Sequence, residues 1–432
     1  MNPVRQITGD SVTRSVEEAA FSKVMWRLVP LLTVCFLVNY IDRTNVGFAA
    51  LTMNKDIGLS NTEFGWGAGV LFFGYCFFEV PSNALLYRFG ARVWLARIMI
   101  TWGLLAAATA FVVGPHSFYA VRFLLGVAEA GFNPGVMFFF MAWFPAQYRS
   151  RMLAWFQMAI PLSAVISGPL SSAVMQANGL LGLAGWQWMF IVEGLPAAIL
   201  GIVLLVLLTN RPQEAKWLTA EERLAVANAV SAETRHRTVQ NFRSAAKDPR
   251  VLLLAAIQFG FTLGSYGIGI WLPLILREQH LSILAIGLIS AVPYLCGCVA
   301  TILWAASVDR SGRRIANLVV TCEVGAVGLL IAIWIPTLGM SLFGLSIAII
   351  GVTSARGIFW SIPPRFLSGK GAAGGLALIS SIGTLGGFLG PMSMGWLRET
   401  TGSFSLGLAV MAGFIALSGL LALLLPFFMR GD

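Results

Sequence analysis

Charged residues are scarce in this chain. Asp, Glu, Lys and Arg make up only 11% of its 432 residues, whereas soluble globular proteins carry about 25%. Hydrophobic residues account for 57% of the chain, and the mean hydropathy is +0.79. The composition therefore excludes an ordinary soluble protein and predicts an integral membrane protein.

Histidine and cysteine are also few, and their positions argue against catalytic or metal sites. The histidines are scattered over predicted loops, and no nucleophile motif accompanies them. All of the cysteines fall inside predicted membrane spans, and Cys296 and Cys298 point to nearly opposite faces of a helix, so they cannot bind one ion. We therefore expect no enzyme, cofactor, metal site or disulfide. The residues concerned are His116, His236, His280, Cys35, Cys76, Cys296, Cys298 and Cys322.

Long apolar segments dominate the rest of the chain. The first follows a polar stretch, residues 1–25, and is too long for the core of a signal peptide, so no cleavable signal is expected. Twelve such segments are each long enough to cross ~30 Å of hydrocarbon. The sequence thus predicts an all-α membrane protein with twelve transmembrane helices and both termini on one side. The predicted spans are 26–50, 63–86, 93–113, 117–141, 151–177, 186–209, 251–276, 283–307, 315–335, 339–363, 373–397 and 404–429.

Basic residues cluster in alternate loops between these spans. They follow spans two, four, eight and ten and flank both termini, whereas the other loops offer only Lys55, Arg277 and Arg398. By the positive-inside rule both termini are cytoplasmic, in a multi-pass protein of the inner (plasma) membrane. Topology then accounts for the net charge of +10, and no nucleic-acid partner is needed.

The two halves of the chain are repeats. Tyr87-Arg88-Phe89-Gly90-Ala91-Arg92 recurs as Asp309-Arg310-Ser311-Gly312-Arg313-Arg314, and Gly168-Pro169 recurs as Gly390-Pro391. Both pairs share one offset, 222 positions (309 − 87 and 390 − 168). Parallel halves with a binding site between them are a transporter architecture. The predicted domains are a cytoplasmic tail (1–25), a six-helix bundle (26–209), a cytoplasmic linker with a short helix (210–250) and a second six-helix bundle (251–432).

The loop Asp309-Arg310-Ser311-Gly312-Arg313-Arg314 resembles the loop signature of the major facilitator superfamily. The first-half copy departs from it, since Asn83 and Tyr87 stand where the superfamily has Gly and Asp. This departure resembles the anion:cation symporter family, and in particular its bacterial tartrate-, phthalate- and hydroxyphenylacetate-type permeases. Further motifs that carry the resemblance are Asn39-Tyr40-Ile41-Asp42-Arg43, Glu79-Val80-Pro81-Ser82-Asn83, Arg122 to Gly131, Trp186 to Pro196 and Gly383 to Pro391.

Several charged residues lie at membrane depth in the first half. Asp42 and Arg43 occupy the second half of span one, and an ionisable residue there is a functional-site hypothesis by default. Arg122 and Glu129 share one face of span four. The alternative is a structural ion pair that locks two helices. The equivalent second-half positions are uncharged, which favours function over a role in the fold. These positions are Gly264, Ser265, Gly344 and Gly351.

The resemblance assigns a role to each of these charges. Arg43 and Arg122 would hold the substrate carboxylate, because a guanidinium stays charged and meets a carboxylate with two parallel hydrogen bonds. Asp42 and Glu129 would take up protons. Tyr40 belongs to the same stretch and is a further candidate for substrate binding.

The second half offers candidates of other kinds. Trp271, Tyr294 and Trp360 are candidate flat walls for a substrate, or ordinary packing residues and interface anchors. Ser381, with Ser380 and Thr384, is a candidate partner for substrate hydroxyls, although relatives often carry Asn nearby.

Four charged residues remain to be placed. Arg356 either meets a second carboxylate or snorkels to the membrane surface, the reading that we favour, with Glu323 as a possible partner. Glu79 and Glu193 match family motifs that we place near cytoplasmic helix ends, where a structural role is expected.

The arginine–glycine loops are candidates for gating. We expect them to brace the cytoplasmic ends of the spans and to latch the outward-open state; the alternative, a topology signal, explains their charge but not their glycines. The residues are Arg88, Gly90, Arg92, Asp309, Arg310, Gly312, Arg313 and Arg314.

Together these observations predict a monomeric secondary transporter. It would import a small organic carboxylate anion with protons by alternating access. The alternatives are a symporter of sugar acids (hexuronates or aldonates), an anion exchanger and, in another class, a membrane enzyme or a substrate-sensing receptor.

The predicted topology can be tested with single cysteines in a background that lacks the native ones. Cysteines at Ser231 and Gly431 should be shielded from impermeant thiol reagents outside intact cells, and one at Asn54 should react. Labelling at Ser231 from outside would reverse the orientation that the basic loops predict.

Overall fold

A computed structural model describes residues 3–234, 247–334, 337–363 and 372–429, and within these ranges every regular element is a helix. In the described residues, twelve helical segments are long and apolar enough to span a membrane, the number that the sequence predicts. Within each half, short loops join consecutive spans, so neighbours in the chain run antiparallel.

Residues 3–234 contain nine α-helices, counting the linker helix α9. They are α1 (Pro3–Asp56), α2 (Asn61–Phe89), α3 (Ala91–Ala108), α4 (Pro115–Glu129), α5 (Phe132–Trp143), α6 (Ala146–Gln157), α7 (Ala159–Val174), α8 (Gly185–Leu207) and α9 (Ala220–Thr234). The second half continues with α10 (Pro249–Arg277), α11 (Ile283–Ser311), α12 (Arg314–Trp334), α13 (Leu338–Phe359), α14 (Ala372–Thr401), α15 (Ser405–Ala422) and α16 (Leu425–Met429).

Two ends of the bundle serve as reference points. The linker face is the end at which α2 ends and α10 begins, and the opposite face is the end at which α1 ends and α2 begins. At the opposite face, Ser60 and Glu63 form a capping box that starts α2: the Ser60 Oγ accepts from the Glu63 N–H at 3.2 Å, and the Glu63 carboxylate accepts from the Ser60 N–H at 2.9 Å. Such a cap satisfies backbone N–H groups that have no partner within the helix.

Residues before the first apolar run are also helical, which the sequence analysis did not predict. In this part of α1, Ala20, Phe21 and Val24 are buried, and their spacing places them on one face of the helix. Lys23 pairs with the Glu222 carboxylate of α9, and its hydrogen bond holds the pKa of Glu222 below its ordinary value. The predicted short linker helix is present and begins at Ala220, and the hydroxyl of the preceding Thr219 accepts from the Glu222 N–H.

The fourth span is broken, whereas the sequence analysis treated it as continuous. Helix α4 ends at Glu129, and Gly131 has a φ of 88°, in the left-handed region, before α5 begins. A Cβ at Gly131 would overlap the Ser82 hydroxyl, so both the backbone conformation and the space require glycine. The break places Glu129 at a helix end inside the membrane, as in transporter sites built on discontinuous helices.

Among the described residues, three helix pairs form the main contacts between the two halves: α1 with α10, α2 with α14, and α7 with α11. Glycines form these contacts. A Cβ at Gly65 would lie 2.5 Å from the Pro391 carbonyl oxygen, and one at Gly168 would lie 2.6 Å from the Gly287 carbonyl oxygen. Without side chains at these positions, the backbones approach closely.

These contacts lie toward the opposite face, and a polar contact joins the halves at its rim. There, the Thr62 N–H donates to the Glu399 carboxylate at 2.7 Å. Helix α1 shows the same asymmetry along its length. Its residues 45–50 are all buried, whereas Trp26 is 70% exposed and Val34 is 47% exposed in the part nearer the linker face. The halves are therefore closed against each other toward the opposite face and separated toward the linker face.

The arginine–glycine loops contact helices of their own half. The Arg92 guanidinium donates to the Leu205 carbonyl oxygen at 2.6 Å, at the end of α8, and Arg314 donates to the Ser361 carbonyl oxygen at 3.0 Å, just after α13. Gly90 and Gly312 have φ angles of 83° and 66°, which explains the fixed glycines. The side chain of Asp309 lies outside the described residues. Bracing of helix ends thus has a structural basis, while the predicted latch stays a prediction.

The close approach of α1 and α10 generates a test. Replacing Gly47 by Ala places a methyl group against the Ile270 carbonyl oxygen. Overpacking costs about 1–3 kcal/mol, and only the conformation closed at the opposite face has this contact. We expect its population to fall roughly 5- to 150-fold, which lengthens the spin–spin distance between labels at Lys55 and Thr400.

Gly413 provides a matched control, because nothing lies within 4 Å of a Cβ built there. Gly413→Ala should leave the distance distribution unchanged. An unchanged distribution in Gly47→Ala as well would mean that this contact does not hold the halves together.

Candidate functional site

Arg43 and Glu129 form an ion pair between α1 and the end of α4. The Arg43 Nε and one terminal nitrogen both lie 2.5 Å from the same oxygen, Glu129 Oε1. The Asn39 amide donates to that oxygen as well, at 2.6 Å. Glu129 is 1% exposed, so nearly all of its stabilisation comes from these donors rather than from water.

The other side of Arg43 faces aromatic rings and the second half. Its second terminal nitrogen donates to the Tyr266 hydroxyl of α10 at 3.2 Å. Its guanidinium carbon lies 5.0 Å from the ring centre of Tyr75 and 5.3 Å from that of Tyr40, both within cation–π range. The Arg43 side chain keeps 11% of its surface exposed. Arg43 is therefore held by one carboxylate and still accessible at the boundary between the halves.

Asp42 lies on another side of α1, in a second buried polar group. The Asn45 amide donates to Asp42 at 3.3 Å and to Glu193 of α8 at 3.0 Å. The Ser171 hydroxyl donates to the other Glu193 oxygen at 2.8 Å. Within the described residues, no donor meets hydrogen-bond geometry at Asp42 Oδ2, although the Trp102 indole lies near the Asp42 carboxylate. A buried carboxylate with an unused oxygen has a place for a proton.

Glu193 corrects one expectation. The sequence analysis placed it near a cytoplasmic helix end, but it lies closer to the start of α8, toward the opposite face, and is 4% exposed. An acid inside a predicted span indicates a functional site, and Glu193 has this feature just as Asp42 does. Because Glu193 also matches a family motif, the sequence analysis assigned it a structural role instead.

Arg122 lies deeper than Arg43. It is 1% exposed and close enough to Asp42 and Glu129 to interact electrostatically with both. Its Nε and one terminal nitrogen have no hydrogen-bond partner in the described part of the chain. Arg43, with 11% of its side-chain surface exposed, is the more accessible of the two arginines, and direct contact of Arg122 with a substrate stays a prediction.

Arg356 of α13 turns into the protein. One of its terminal nitrogens donates to the Ser265 hydroxyl at 3.0 Å, and its guanidinium carbon lies 5.7 Å from the ring centre of Tyr266. It does not snorkel to the surface, which was the favoured reading. Glu323 is not its partner either: Glu323 Oε1 has no hydrogen-bond partner among the described residues and lies beside Gly419 of α15.

The predicted aromatic residues of the second half occupy different environments. Tyr294 lines a small cavity between the halves, together with Thr44 and Ser290, and is close enough to Arg356 to interact electrostatically. Trp271 is completely buried, and its indole N–H donates to the Pro391 carbonyl oxygen at 3.1 Å. Trp271 thus belongs to the closed contact near the opposite face, away from the central charges.

The remaining candidates lie at the margin of the site. Trp360 follows α13 near the linker face and is 38% exposed. The Ser381 carbonyl oxygen accepts from the Cys76 thiol at 3.6 Å, where α14 meets α2. Neither contacts the central charges in this conformation, and their roles in substrate binding stay predictions.

Tyr266 and Glu79 are central residues that the sequence analysis missed or set aside. Tyr266 lies between Arg43 and Arg356, and the repeat offset pairs it with Thr44, directly after Arg43 (266 − 222 = 44). That offset was applied only to charged positions, so the tyrosine was overlooked. Glu79 of α2 interacts electrostatically with Arg43, and its Oε2 has no hydrogen-bond partner among the described residues.

Comparison with known proteins places this arrangement in a family. Residues 32–391 match the sequence profile of the Major Facilitator Superfamily. A protein of Agrobacterium vitis named "Putative tartrate transporter" is 47% identical over 416 residues, which cover 96% of this chain and 93% of that protein. A "Quinolone resistance transporter" of Acinetobacter baumannii is 40% identical over 399 residues, 91% of each chain.

A solved structure shares the fold. The inward-open xylose transporter XylE from E. coli superposes with a TM-score of 0.77 at 13% identity, over 92% of this chain and 96% of that one. With the profile match and the relatives, this makes the chain a transport protein rather than an enzyme. The chain belongs to the Major Facilitator Superfamily.

Proposed function

We propose that this protein is a secondary active transporter that imports a small organic carboxylate anion together with protons. The observation that carries the proposal is the Arg43–Glu129 pair, which lies at membrane depth and in which the Arg43 side chain keeps 11% of its surface exposed. The name of the Agrobacterium vitis relative, with tartrate as the transported anion, supports the substrate class.

Competition for Arg43 would couple the anion to a proton. The substrate carboxylate and Glu129 need the same guanidinium donors, since two of the Arg43 nitrogens converge on Glu129 Oε1. When the substrate takes those donors, an ionised Glu129 would be a buried charge without its cation, which is strongly unfavourable. Protonation of Glu129 removes that charge. The anion therefore binds best with a proton on Glu129.

Asp42 would supply a second proton site. It shares Asn45 with Glu193 and lies near Arg122, so three acids and two arginines are packed in the first half. Carboxylates this close disfavour each other's ionised form. A change in the Arg43–Glu129 pair would therefore alter the affinity of Asp42 for a proton, even though the substrate does not touch Asp42.

Coupling to protons meets an energetic need. An anion that enters alone against an inside-negative potential is opposed by about 2.3 kcal/mol per charge per 100 mV. Protons carried with it cancel that opposition, and their gradient can drive accumulation.

Alternating access would use the glycine contacts between the halves. With the predicted orientation, the linker face is cytoplasmic and the described conformation is open to the inside. The outward-open state would require α2 to part from α14 and α7 from α11, while the linker-face ends close. Glycine contacts without long interdigitating side chains suit surfaces that must separate and meet again.

Neutral variants of the two acids test the proposal. Asp42→Asn and Glu129→Gln should lose substrate accumulation driven by an imposed pH gradient in proteoliposomes, because neither side chain then takes up a proton. Glu129→Gln should still exchange substrate between preloaded vesicles, because Arg43 remains.

Glu323→Gln is the matched control. Glu323 is also an acid at membrane depth, but it lies beside α15, outside the central cluster, so this variant should accumulate substrate like the wild type. Accumulation that survives in both Asp42→Asn and Glu129→Gln, or wild-type uptake that ignores the pH gradient, would remove proton coupling and leave anion exchange.

A further inference from the structure

We infer that the substrate is a dicarboxylate, held by Arg43 of the first half and Arg356 of the second half, and that Arg356 determines this specificity. The inference rests on the proposed function and adds the class of anion. Its starting point is a cation without a counter-charge. Within the described residues, no carboxylate forms an ion pair with Arg356, whereas Arg43 pairs with Glu129.

An uncompensated guanidinium inside a membrane protein is costly. The hydrogen bond to the Ser265 hydroxyl orients Arg356 but supplies no negative charge. The side chain is partly exposed within the protein, so its remaining donors are available to a solute. Binding of an anion stabilises such a site strongly, because the anion supplies the counter-charge that the cation lacks.

Arg356 and Arg43 face the same space. Both contact Tyr266: Arg43 donates to its hydroxyl at 3.2 Å, and Arg356 lies 5.7 Å from the centre of its ring. Both are also close enough to Tyr40 of α1 to interact electrostatically with it. The two guanidiniums therefore lie near one pair of tyrosines, at the boundary where α1, α10 and α13 meet.

Charge balance selects between anions. With Glu129 protonated, Arg43 and Arg356 are two guanidiniums without an ion-pair partner among the described residues, since Glu79 interacts with Arg43 electrostatically but forms no ion pair with it. A dicarboxylate neutralises both, whereas a monocarboxylate leaves one cation uncompensated as the site closes around it. Each carboxylate can also accept two parallel hydrogen bonds from a guanidinium, which fixes the ends of the molecule.

The tyrosines suit a hydroxylated dicarboxylate. The Tyr266 hydroxyl accepts from Arg43, so its own proton is free to donate to a substrate oxygen. Two more hydroxyls lie next to these residues: that of Ser265 accepts from Arg356 at 3.0 Å, and that of Tyr40 interacts with the Tyr266 hydroxyl. A short dicarboxylate with hydroxyl groups in its middle would use all of these groups.

The test compares affinities for matched anions. Tartrate and succinate are the dicarboxylate probes, and glycerate is the hydroxylated monocarboxylate. Binding is measured by calorimetry on the purified full-length protein, and the readout is the ratio of the glycerate and tartrate dissociation constants. The wild type should prefer both dicarboxylates, and Arg356→Gln should reduce the ratio by about 10- to 100-fold, as expected for lost hydrogen bonds to a charged group.

Three variants make the result specific. Arg356→Lys keeps the charge but not the planar fork, so its ratio should fall between those of the wild type and Arg356→Gln. Ser265→Ala releases the orienting contact and should reduce the ratio less than Arg356→Gln does. Arg97→Gln is the matched control, because Arg97 is another half-buried arginine that stacks on Trp94 at 4.0 Å, away from this space, and its ratio should equal that of the wild type.

The outcomes separate the inference from the proposed function. Equal wild-type affinity for glycerate and tartrate, or an unchanged ratio in Arg356→Gln, overturns the dicarboxylate inference and leaves carboxylate transport standing. A wild-type protein that binds none of the three anions contradicts the proposed function itself. If Arg356→Gln does not yield folded protein, the ratios of Arg356→Lys and Ser265→Ala decide, and unchanged ratios in both overturn the inference.

Discussion

The structure depends on one constraint, that an ionised group inside the membrane is costly unless it has a partner. Glu129 meets it through three donors on α1, from Arg43 and Asn39, that converge on a single oxygen. The break at Gly131 ends α4 directly after Glu129, and the absence of a Cβ lets Ser82 approach. Buried ion pairs add little net stability, because desolvation offsets most of their attraction. Their cost and their sensitivity to a competing anion make the pair more useful for transport than for folding.

A second constraint acts where the halves meet. In water, apolar side chains would drive the two surfaces together, but lipid is as apolar as leucine and gives no such drive. The contacts here use backbone instead, as when the Cα of Gly65 faces the Pro391 carbonyl oxygen and Gly47 faces Ile270. Close approach of such surfaces contributes modest dispersion energy. Because few side chains interdigitate, little packing has to be broken when the surfaces separate. This fits a protein whose two conformations differ by only a few kcal/mol.

The sequence predicted the fold well because the signals for it are local. Apolar length gives the spans, basic loops predict their orientation, and a repeated offset reveals the halves. The charges at Asp42, Arg43, Arg122 and Glu129 were found for the same reason, since a charge within an apolar run stands out.

Pairings between distant helices were not predictable in this way. Whether Arg356 turns inward or outward depends on the rotation of α13 about its axis, and the position of Tyr266 depends on how α10 meets α1. The break at Gly131 was missed because a glycine between apolar residues does not by itself end a helix.

The placement of charge on the two halves has a consequence for the transport cycle. Arg43 and Glu129 belong to the same half, so an empty carrier can move that pair as one rigid unit without separating opposite charges. Arg356 belongs to the other half, across the boundary that must open and close. On the proposed function, an anion between Arg43 and Arg356 would attract both halves at once, so its binding energy would be released in the closed complex and less fully in either open state. Proton binding and substrate recognition would then be divided between the halves: the first half would regulate whether Arg43 is available, and the second half would respond to the anion that binds it. On the proposed function, this division explains why the acids of the central cluster, Asp42, Glu129 and Glu193, all belong to the first half, although the sequence repeat relates the two halves.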